Sequence, residues 1–232
     1  MVTHPPRFFA LVPCAGVGQR AGTALPKQYE TLAGRAVVAH TLAALAAVQR
    51  LAATLVVLAP DDTQFESQVP GWGGARGWLA RCGGASRAAT VAAGLAALLD
   101  RGAGPDDWVL VHDAARCLLW PEWVDRLIDA CADDAVGGLL ALPLADTLKQ
   151  ERLGRVAGTL ERTGKWAAQT PQMFRLGLLQ RALALAGTQV TDESSAIEAF
   201  GLQPLLVPGE LENFKLTWPA DFALAARLME TR

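Results

Sequence analysis

The sequence predicts an α/β fold in which a mainly parallel, twisted β-sheet is flanked by helices. Short apolar runs alternate with segments of helical periodicity through the first half of the chain. Glycine-rich and polar loops follow several of these runs, as expected where ligands sit beyond the carboxyl ends of parallel strands. With 232 residues the chain can bury a substantial core, and we expect one domain over residues 1–232.

The first half supplies the clearest strands and helices. Four apolar runs bounded by turn residues are predicted strands: FFALVP (8–13), TLVVLA (54–59), GWLARC (77–82) and DWVLVH (107–112). Three segments of 3.6-residue periodicity are predicted helices: 36–48, 87–100 and 121–132. Strands and helices in alternation are typical of βαβ units, which place the strands parallel.

The second half is less regular. Residues 137–149 indicate a strand that runs into a polar segment, and 155–174 show strand-like alternation followed by turn and loop residues. We predict a protruding two-stranded arm over 144–168, because this segment has too little apolar area to form a core. Helices are predicted near three further segments: 175–186, 192–200 and 219–230.

Composition restricts the classes of partner. A net charge of -2, with 51% hydrophobic and 19% charged residues, predicts a globular protein without global attraction to nucleic acid or membranes. No apolar stretch approaches the roughly 18 residues that a membrane-spanning helix needs. Four widely spaced cysteines without a C-x-x-C pair indicate reduced thiols in a cytoplasmic protein, and disfavour a metal site: Cys14, Cys82, Cys117 and Cys131.

The loop over residues 14–27 contains three glycines. Gly16, Gly18 and Gly22 give the spacing G-x-G-x-x-x-G, one residue longer than the dinucleotide-binding fingerprint. The Walker pattern G-x-x-x-x-G-K-[ST] is also absent. Glycines let backbone N–H groups approach a ligand closely, so the loop remains a candidate phosphate site of another kind.

Two cations in this loop strengthen that interpretation. Arg20 is followed seven residues later by Lys27, which stands directly after Pro26. Cations at such a spacing can straddle a triphosphate, and in nucleotidyl transfer the protein mainly positions groups and neutralises charge on phosphate oxygens. The alternative is a solvent-exposed basic loop without a ligand.

Six motifs carry a more specific resemblance. They occur in the order PCAGVGQRAGTALPKQY, VLVHDAAR, ADTLK, QTPQMF, TDESSAIE and NFKLTWPAD. The first alone indicates only the nucleotidyltransferase superfamily. The ordered set resembles the 2-C-methyl-D-erythritol 4-phosphate cytidylyltransferases over residues 8–230.

The resemblance implies a Rossmann-like nucleotidyltransferase fold and a homodimer with exchanged arms. It also implies transfer of CMP from CTP to 2-C-methyl-D-erythritol 4-phosphate, with release of pyrophosphate and with Mg²⁺ on the triphosphate. The product would be 4-diphosphocytidyl-2-C-methyl-D-erythritol.

Roles in catalysis and nucleotide binding follow from the same resemblance. Arg20 and Lys27 match transition-state stabilisers, and Lys215 matches the lysine that positions the substrate phosphate. Eight residues are expected at the nucleotide: Pro13, Cys14, Ala15, Gly16, Gly18, Gly84, Thr90 and Ala114. Ala85 departs from the acidic residue frequent in the family, and Cys117 from the usual proline.

The resemblance places Asp113 beside Mg²⁺ and the substrate, and Arg116 and Thr170 at the substrate. Thr147 and Arg162, both in the predicted arm, would reach the partner subunit's site, where Arg162 would be catalytic. The residues themselves support a partner for Asp113, because an unpaired carboxylate directly after an apolar strand is costly. Its neighbour His112 is predicted to be a packed structural histidine.

Two other functions remain open. One is a cytidylyltransferase for a different polyol phosphate, such as ribitol 5-phosphate. The other is a regulatory protein that binds a nucleotide without catalysis. The presence together of Arg20, Lys27, Asp113 and Lys215 argues against the second, because a nucleotide sensor has no need of all four.

Overall fold

The computed structural model describes residues 5–16, 26–187 and 190–231. The strands in these ranges are β1 (Phe8–Pro13), β2 (Thr31–Leu32), β3 (Arg35–Ala36), β4 (Leu51–Val57), β5 (Gly77–Ala80), β6 (Trp108–Val111), β7 (Gly137–Pro143), β8 (Leu148–Arg152), β9 (Arg155–Leu160), β10 (Trp166–Arg175) and β11 (Leu205–Pro208). Seven of them form the central sheet in the order β11-β7-β10-β6-β1-β4-β5. Only β10 runs antiparallel to its neighbours in this described sheet, so the predicted mainly parallel sheet is confirmed.

The described helices are α1 (Val37–Ala47), α2 (Phe65–Gln68), α3 (Arg87–Asp100), α4 (Pro121–Cys131), α5 (Leu176–Ala186), α6 (Glu193–Ala199) and α7 (Pro219–Met229). The six predicted helices are present, each within two residues of its expected ends. Within the described ranges, no helix has both the length and the apolar composition that crossing a bilayer demands.

Helices cover both faces of the sheet. Along β1, Ala10 and Val12 face the side packed by α1 and α4, while Phe9 and Leu11 face the side packed by α3, α5 and α6. This alternation follows from the two-residue period of a strand. A strand buried on both faces reads as a continuous apolar run, which explains why FFALVP could be recognised from sequence.

The strand β10 was not predicted over its full length. The sequence predicts strand-like alternation followed by turn and loop residues over 155–174, yet residues 166–175 form β10 in the centre of the sheet, between β6 and β7. Pro171 cannot donate a ladder hydrogen bond, so it normally argues against a central strand. The sheet accommodates it with a register irregularity between Ala168 and Gln172. Strand β11 at the sheet edge was also missed.

Strands β8 and β9 form a separate antiparallel hairpin between β7 and β10. Its apolar side chains Leu153, Val156 and Leu160 are 92%, 67% and 46% exposed. The hairpin is shorter than the predicted arm, because residues 166–168 pair with β7 as the beginning of β10.

Candidate active site

A cavity of about 450 Å³ lies where the chain leaves the carboxyl ends of β1 and β6. Ten of the predicted site residues line it: Pro13, Cys14, Ala15, Gly16, Lys27, Gly84, Thr90, Asp113, Ala114 and Lys215. Two others, Gly18 and Arg20, lie outside the described residues. The fold therefore brings residues from four separate segments of the sequence, three of them quoted motifs, to one concave site.

Gln28 shapes the first wall of the cavity. Its Nε2 donates hydrogen bonds to the carbonyl oxygens of Cys14, at 3.3 Å, and Gly16, at 2.9 Å. Cys14 is buried, and burial raises the pKa of its thiol to about 12, so the thiol stays neutral. A buried, neutral thiol behaves as a small apolar side chain, so Cys14 fills space in this wall of the cavity. Sequence reasoning missed Gln28, because no pattern distinguishes a glutamine that braces a loop.

The second wall is the loop before α3. Ser86 caps this helix by accepting from the Ala89 N–H, and the Thr90 Oγ1 accepts from the Gly84 N–H at 3.1 Å. Thr90 Oγ1 also donates to Ser86 O at 2.9 Å. The Thr90 hydroxyl, predicted to contact the nucleotide, is therefore already engaged in holding the loop.

Asp113 lies just beyond β6, between three cations. Arg87 Nε is 2.8 Å from Oδ1, Lys215 Nζ is 2.7 Å from Oδ2, and Arg116 Nε is 3.9 Å from Oδ2. Burial alone would raise the pKa of Asp113, but Arg87, Lys215 and Arg116 hold it far below its usual value. The carboxyl is therefore ionised throughout the physiological pH range.

A chain of buried hydrogen bonds fixes the backbone at Asp113. His112 Nε2 lies 3.1 Å from Arg116 O, an acceptor, so Nε2 carries the proton. His112 Nδ1 then accepts from Thr170 Oγ1 at 3.0 Å, and Thr170 Oγ1 accepts from the Asp113 N–H at 3.1 Å. Burial lowers the pKa of His112 to about 4, so the ring is neutral near pH 7. His112 is packed, as predicted.

Thr170→Val should lower stability, because valine keeps the shape but leaves the Asp113 N–H and His112 Nδ1 without a partner. An unsatisfied buried group costs about 1–3 kcal/mol. For a chain of this length that corresponds to a fall in melting temperature of roughly 2–12 °C. Thermal unfolding measures the change, with Thr170→Ser, which keeps the hydroxyl, as the matched control. A valine variant as stable as the serine variant would contradict the proposed hydrogen-bond chain.

A second cavity, of about 180 Å³, adjoins the first. Arg87, Asp113 and Lys215 line both cavities, so these side chains form a common wall. The predicted substrate residues Arg116 and Thr170 line the smaller one. Thr191, Asp192 and Gln172 also line it. No substrate role is predicted for them from the sequence, although all three lie in quoted motifs, TDESSAIE and QTPQMF.

Arg116 lines this second cavity, and two backbone carbonyl groups hold its guanidinium. Its Nη1 donates to Asn213 O at 2.6 Å and its Nη2 to Ala168 O at 3.3 Å. Its Nε is buried and has no hydrogen-bond partner among the described residues. A buried donor is costly to leave unpaired, and an anionic oxygen is the partner that a guanidinium prefers.

The two lysines of the site meet at one segment. Lys27 Nζ donates to Leu216 O at 3.2 Å, directly after Lys215. The Leu216 N–H donates to Ala115 O at 2.9 Å, and the Leu216 side chain is fully buried in a cluster with α7. Both ammonium groups are thus anchored beside the loop that carries Asp113.

Thr147 and Arg162 do not join these residues. Both are exposed and flank the β8–β9 hairpin, and neither lines the two cavities. Within one chain, the structure therefore separates the predicted arm residues from the rest of the site.

The acidic residues determine whether the site can hold a divalent cation. No group of three or more His, Cys, Asp or Glu residues suited to a metal occurs in the described part of the chain. Asp113 is the one carboxylate among the described residues that line the larger cavity. Mg²⁺ is commonly held by one or two carboxylates together with substrate phosphates. The residues fit a cation that enters with a triphosphate.

A mainly parallel sheet whose loops surround a cavity with two lysines, next to a smaller cavity lined by two arginines and one of these lysines, defines the class of nucleotide-binding α/β transferases. The model of one family in this class, 2-C-methyl-D-erythritol 4-phosphate cytidylyltransferase (IspD), matches residues 8–231. The chain belongs to this family of nucleotidyltransferases, and the resemblance seen in the sequence motifs is confirmed.

Individual relatives agree. The chain is 64% identical to the bifunctional enzyme IspD/IspF of Albidiferax ferrireducens, over 98% of this chain but 54% of that protein, so it spans about half the bifunctional relative. It is 53% identical to the 2-C-methyl-D-erythritol 4-phosphate cytidylyltransferase of Burkholderia multivorans, with 97% and 96% of the two chains covered. A crystal structure of a 4-diphosphocytidyl-2C-methyl-D-erythritol synthase superimposes with a TM-score of 0.85 at 40% identity, covering 98% of this chain and 100% of the other.

Proposed function

We propose that the chain transfers CMP from CTP to 2-C-methyl-D-erythritol 4-phosphate, giving 4-diphosphocytidyl-2-C-methyl-D-erythritol and pyrophosphate. Family membership supports the reaction. The observation that carries it is the wall of Arg87, Asp113 and Lys215 shared by two adjoining cavities. A nucleotide in the larger cavity and a phosphate monoester in the smaller one would meet across that wall.

In this proposal a phosphate oxygen of the acceptor attacks the α-phosphorus of CTP in line. One P–O bond forms, the bond from the α-phosphorus to the bridging oxygen breaks, and its electron pair leaves with pyrophosphate. Lys27, with Arg20 as its predicted partner, stabilises the negative charge that grows on the non-bridging α-oxygens. Fixed cations at such a position are among the largest contributions that proteins make to catalysis.

The acceptor would be held by Arg116, Lys215 and Thr170 in the smaller cavity. The described lining of that cavity has three cations, Arg87, Arg116 and Lys215, and two carboxylates, Asp113 and Asp192. Because Glu193 pairs with Arg87, Arg116 and Lys215 are the cations that would face the acceptor phosphate. A phosphate monoester is already ionised near neutral pH, so attack needs no general base. The neutral, fully hydrogen-bonded state of His112 is consistent with this.

Mg²⁺ bound to the triphosphate would neutralise phosphate charge, and Asp113 is the residue that would hold it. We expect excess EDTA with metal-free CTP to abolish pyrophosphate release, and added Mg²⁺ to restore it, because the described cations leave the triphosphate charge only partly compensated. Coupled pyrophosphate detection measures this. Unchanged turnover in EDTA would contradict the requirement for a divalent cation.

We also propose that residues 1–232 form one domain and that the hairpin is the dimerisation arm of a homodimer with exchanged arms. Two observations support this. The hairpin exposes apolar side chains, and neither Thr147 nor Arg162 lines the two cavities of its own chain. A cytoplasmic location is proposed as well, supported by four cysteines that form no disulfide in the structure.

A panel of substrates tests the proposed function. The protein is incubated with CTP, UTP or GTP, each against 2-C-methyl-D-erythritol 4-phosphate and ribitol 5-phosphate, and pyrophosphate release is followed. We expect release with CTP and the methylerythritol phosphate. Product from ribitol phosphate alone would replace the acceptor, and nucleotide binding without product would favour the regulatory alternative.

A further inference from the structure

Arg87 and the buried Glu193 form a partly buried ion pair directly behind Asp113. Arg87 is the first residue of α3 and Glu193 the first residue of α6. Arg87 Nη1 and Nη2 donate to Glu193 Oε1 and Oε2 at 2.7 and 2.9 Å, which is a two-point contact. The third nitrogen of the guanidinium, Nε, donates to Asp113 Oδ1 at 2.8 Å.

Glu193 is only 1% exposed and lines neither cavity, so it has no route to a substrate. Arg87 lines both cavities and contacts Asp113. Any effect of Glu193 on the reaction must therefore pass through another residue, and Arg87 is the side chain that it holds.

A gain in folding stability does not explain the Arg87–Glu193 ion pair well. A buried ion pair pays a large desolvation penalty, and well-packed apolar residues of similar volume often stabilise a protein as much or more. The guanidinium group is planar and its donors form a rigid fork. Once two of its donors are fixed on Glu193, the direction of Nε is fixed too.

That direction decides how Asp113 presents its oxygens. With Oδ1 held by Arg87, Oδ2 faces Lys215 Nζ at 2.7 Å and the side of Arg116. The two contacts orient the carboxylate in the shared wall of the cavities. They also tie the loop before α3, at the larger cavity, to the start of α6, beside Thr191 and Asp192 of the smaller one.

We propose that Arg87 and Glu193 are positioning residues for cytidylyl transfer: Glu193 orients Arg87, and Arg87 orients Asp113 relative to Lys215. This inference rests on the proposed function. Glu193 acts only through Arg87, so the two side chains form one functional unit.

The test compares the wild type with Glu193→Gln, Arg87→Lys and the double variant, with Glu198→Gln on the exposed side of the same helix as the matched control. Glutamine keeps the size of Glu193 but presents an N–H group to one guanidinium donor. Lysine keeps the charge of Arg87 but lacks the fork. The measurements are kcat, KM for each substrate, CTP binding by calorimetry and the melting temperature.

We expect each single variant to lower kcat about 10- to 100-fold, since a misplacement of about 1 Å can cost about 100-fold. In Glu193→Gln, CTP affinity should change by less than about threefold, because Glu193, unlike Arg87, does not line the nucleotide cavity. The kcat of the double variant should be no lower than that of Arg87→Lys. Glu193 acts only through Arg87, so its loss adds nothing once Arg87 has been changed. Glu198→Gln should match the wild type.

A folded Glu193→Gln variant with wild-type kcat would overturn the inference, as would losses that multiply in the double variant. If Glu193→Gln does not fold, Glu193→Asp takes its place, because aspartate keeps the charge but its shorter side chain withdraws the carboxylate. A folded Glu193→Asp variant with wild-type kcat, or losses that multiply when it is combined with Arg87→Lys, would overturn the inference in the same way. A wild-type protein without transfer activity would instead contradict the proposed function.

Discussion

Lys27→Ala is expected to give a folded protein that binds CTP but turns it over about 10²- to 10³-fold more slowly. Lys27 lies at the lining of the larger cavity, and its Nζ donates a hydrogen bond of 3.2 Å to the carbonyl oxygen of Leu216. Removing it costs little packing. The charge matters most when the α-phosphorus becomes pentacoordinate, so kcat should fall far more than CTP affinity.

Steady-state kinetics with calorimetric CTP titration separate these two quantities. Arg227→Ala, which removes an exposed cation from α7, is the control for a general change of surface charge and should behave as the wild type. Turnover of Lys27→Ala within tenfold of the wild type would exclude Lys27 as a stabiliser of the transition state.

Mixing two inactive variants is expected to restore activity if the arms are exchanged. Lys27→Ala should damage the nucleotide site of its own chain, and Arg162→Ala should damage the site of the partner subunit. Neither Arg162 nor Thr147 lines the cavities of its own chain, and the hairpin exposes apolar side chains that a two-fold partner would cover.

The two variants are unfolded together, refolded and assayed beside each parent. Random pairing makes about half of the dimers mixed, each with one intact site of two, so about a quarter of wild-type activity should return. Refolding two batches of the same variant is the control and should restore nothing. Confirmed mixed dimers as inactive as their parents would show that Arg162 does not serve the partner.

Much of the fold could be predicted because its elements carry local signals. Strand β1 and helix α3 end where the sequence interpretation placed them, since apolar continuity and helical periodicity are properties of the segment itself. Strand β10 could not be predicted in full, because Pro171 argues locally against a central strand and only pairing with β6 and β7 overrides that.

The site residues also fall into two groups: those that a local pattern could predict, and those that only the folded structure brings together. Asp113 could be predicted to need a partner, since it follows an apolar strand, and Lys27 could be predicted from the glycine loop. The Arg87–Glu193 pair could not, because its two residues lie 106 positions apart and meet only when α3 and α6 pack. From the sequence alone, Arg87 indicates only a loop brace or an exposed residue, and Glu193 only a helix N-terminus.

The most direct measurement of the central claim follows the oxygen that attacks CTP. 2-C-methyl-D-erythritol 4-phosphate carrying ¹⁸O in its non-bridging phosphate oxygens is incubated with CTP, and the products are analysed by ³¹P NMR and mass spectrometry. Direct transfer in the two cavities predicts ¹⁸O in the bridge of the diphosphate product and pyrophosphate without label. Label in pyrophosphate, an unlabelled bridge, or CMP in place of the diphosphate product would contradict it.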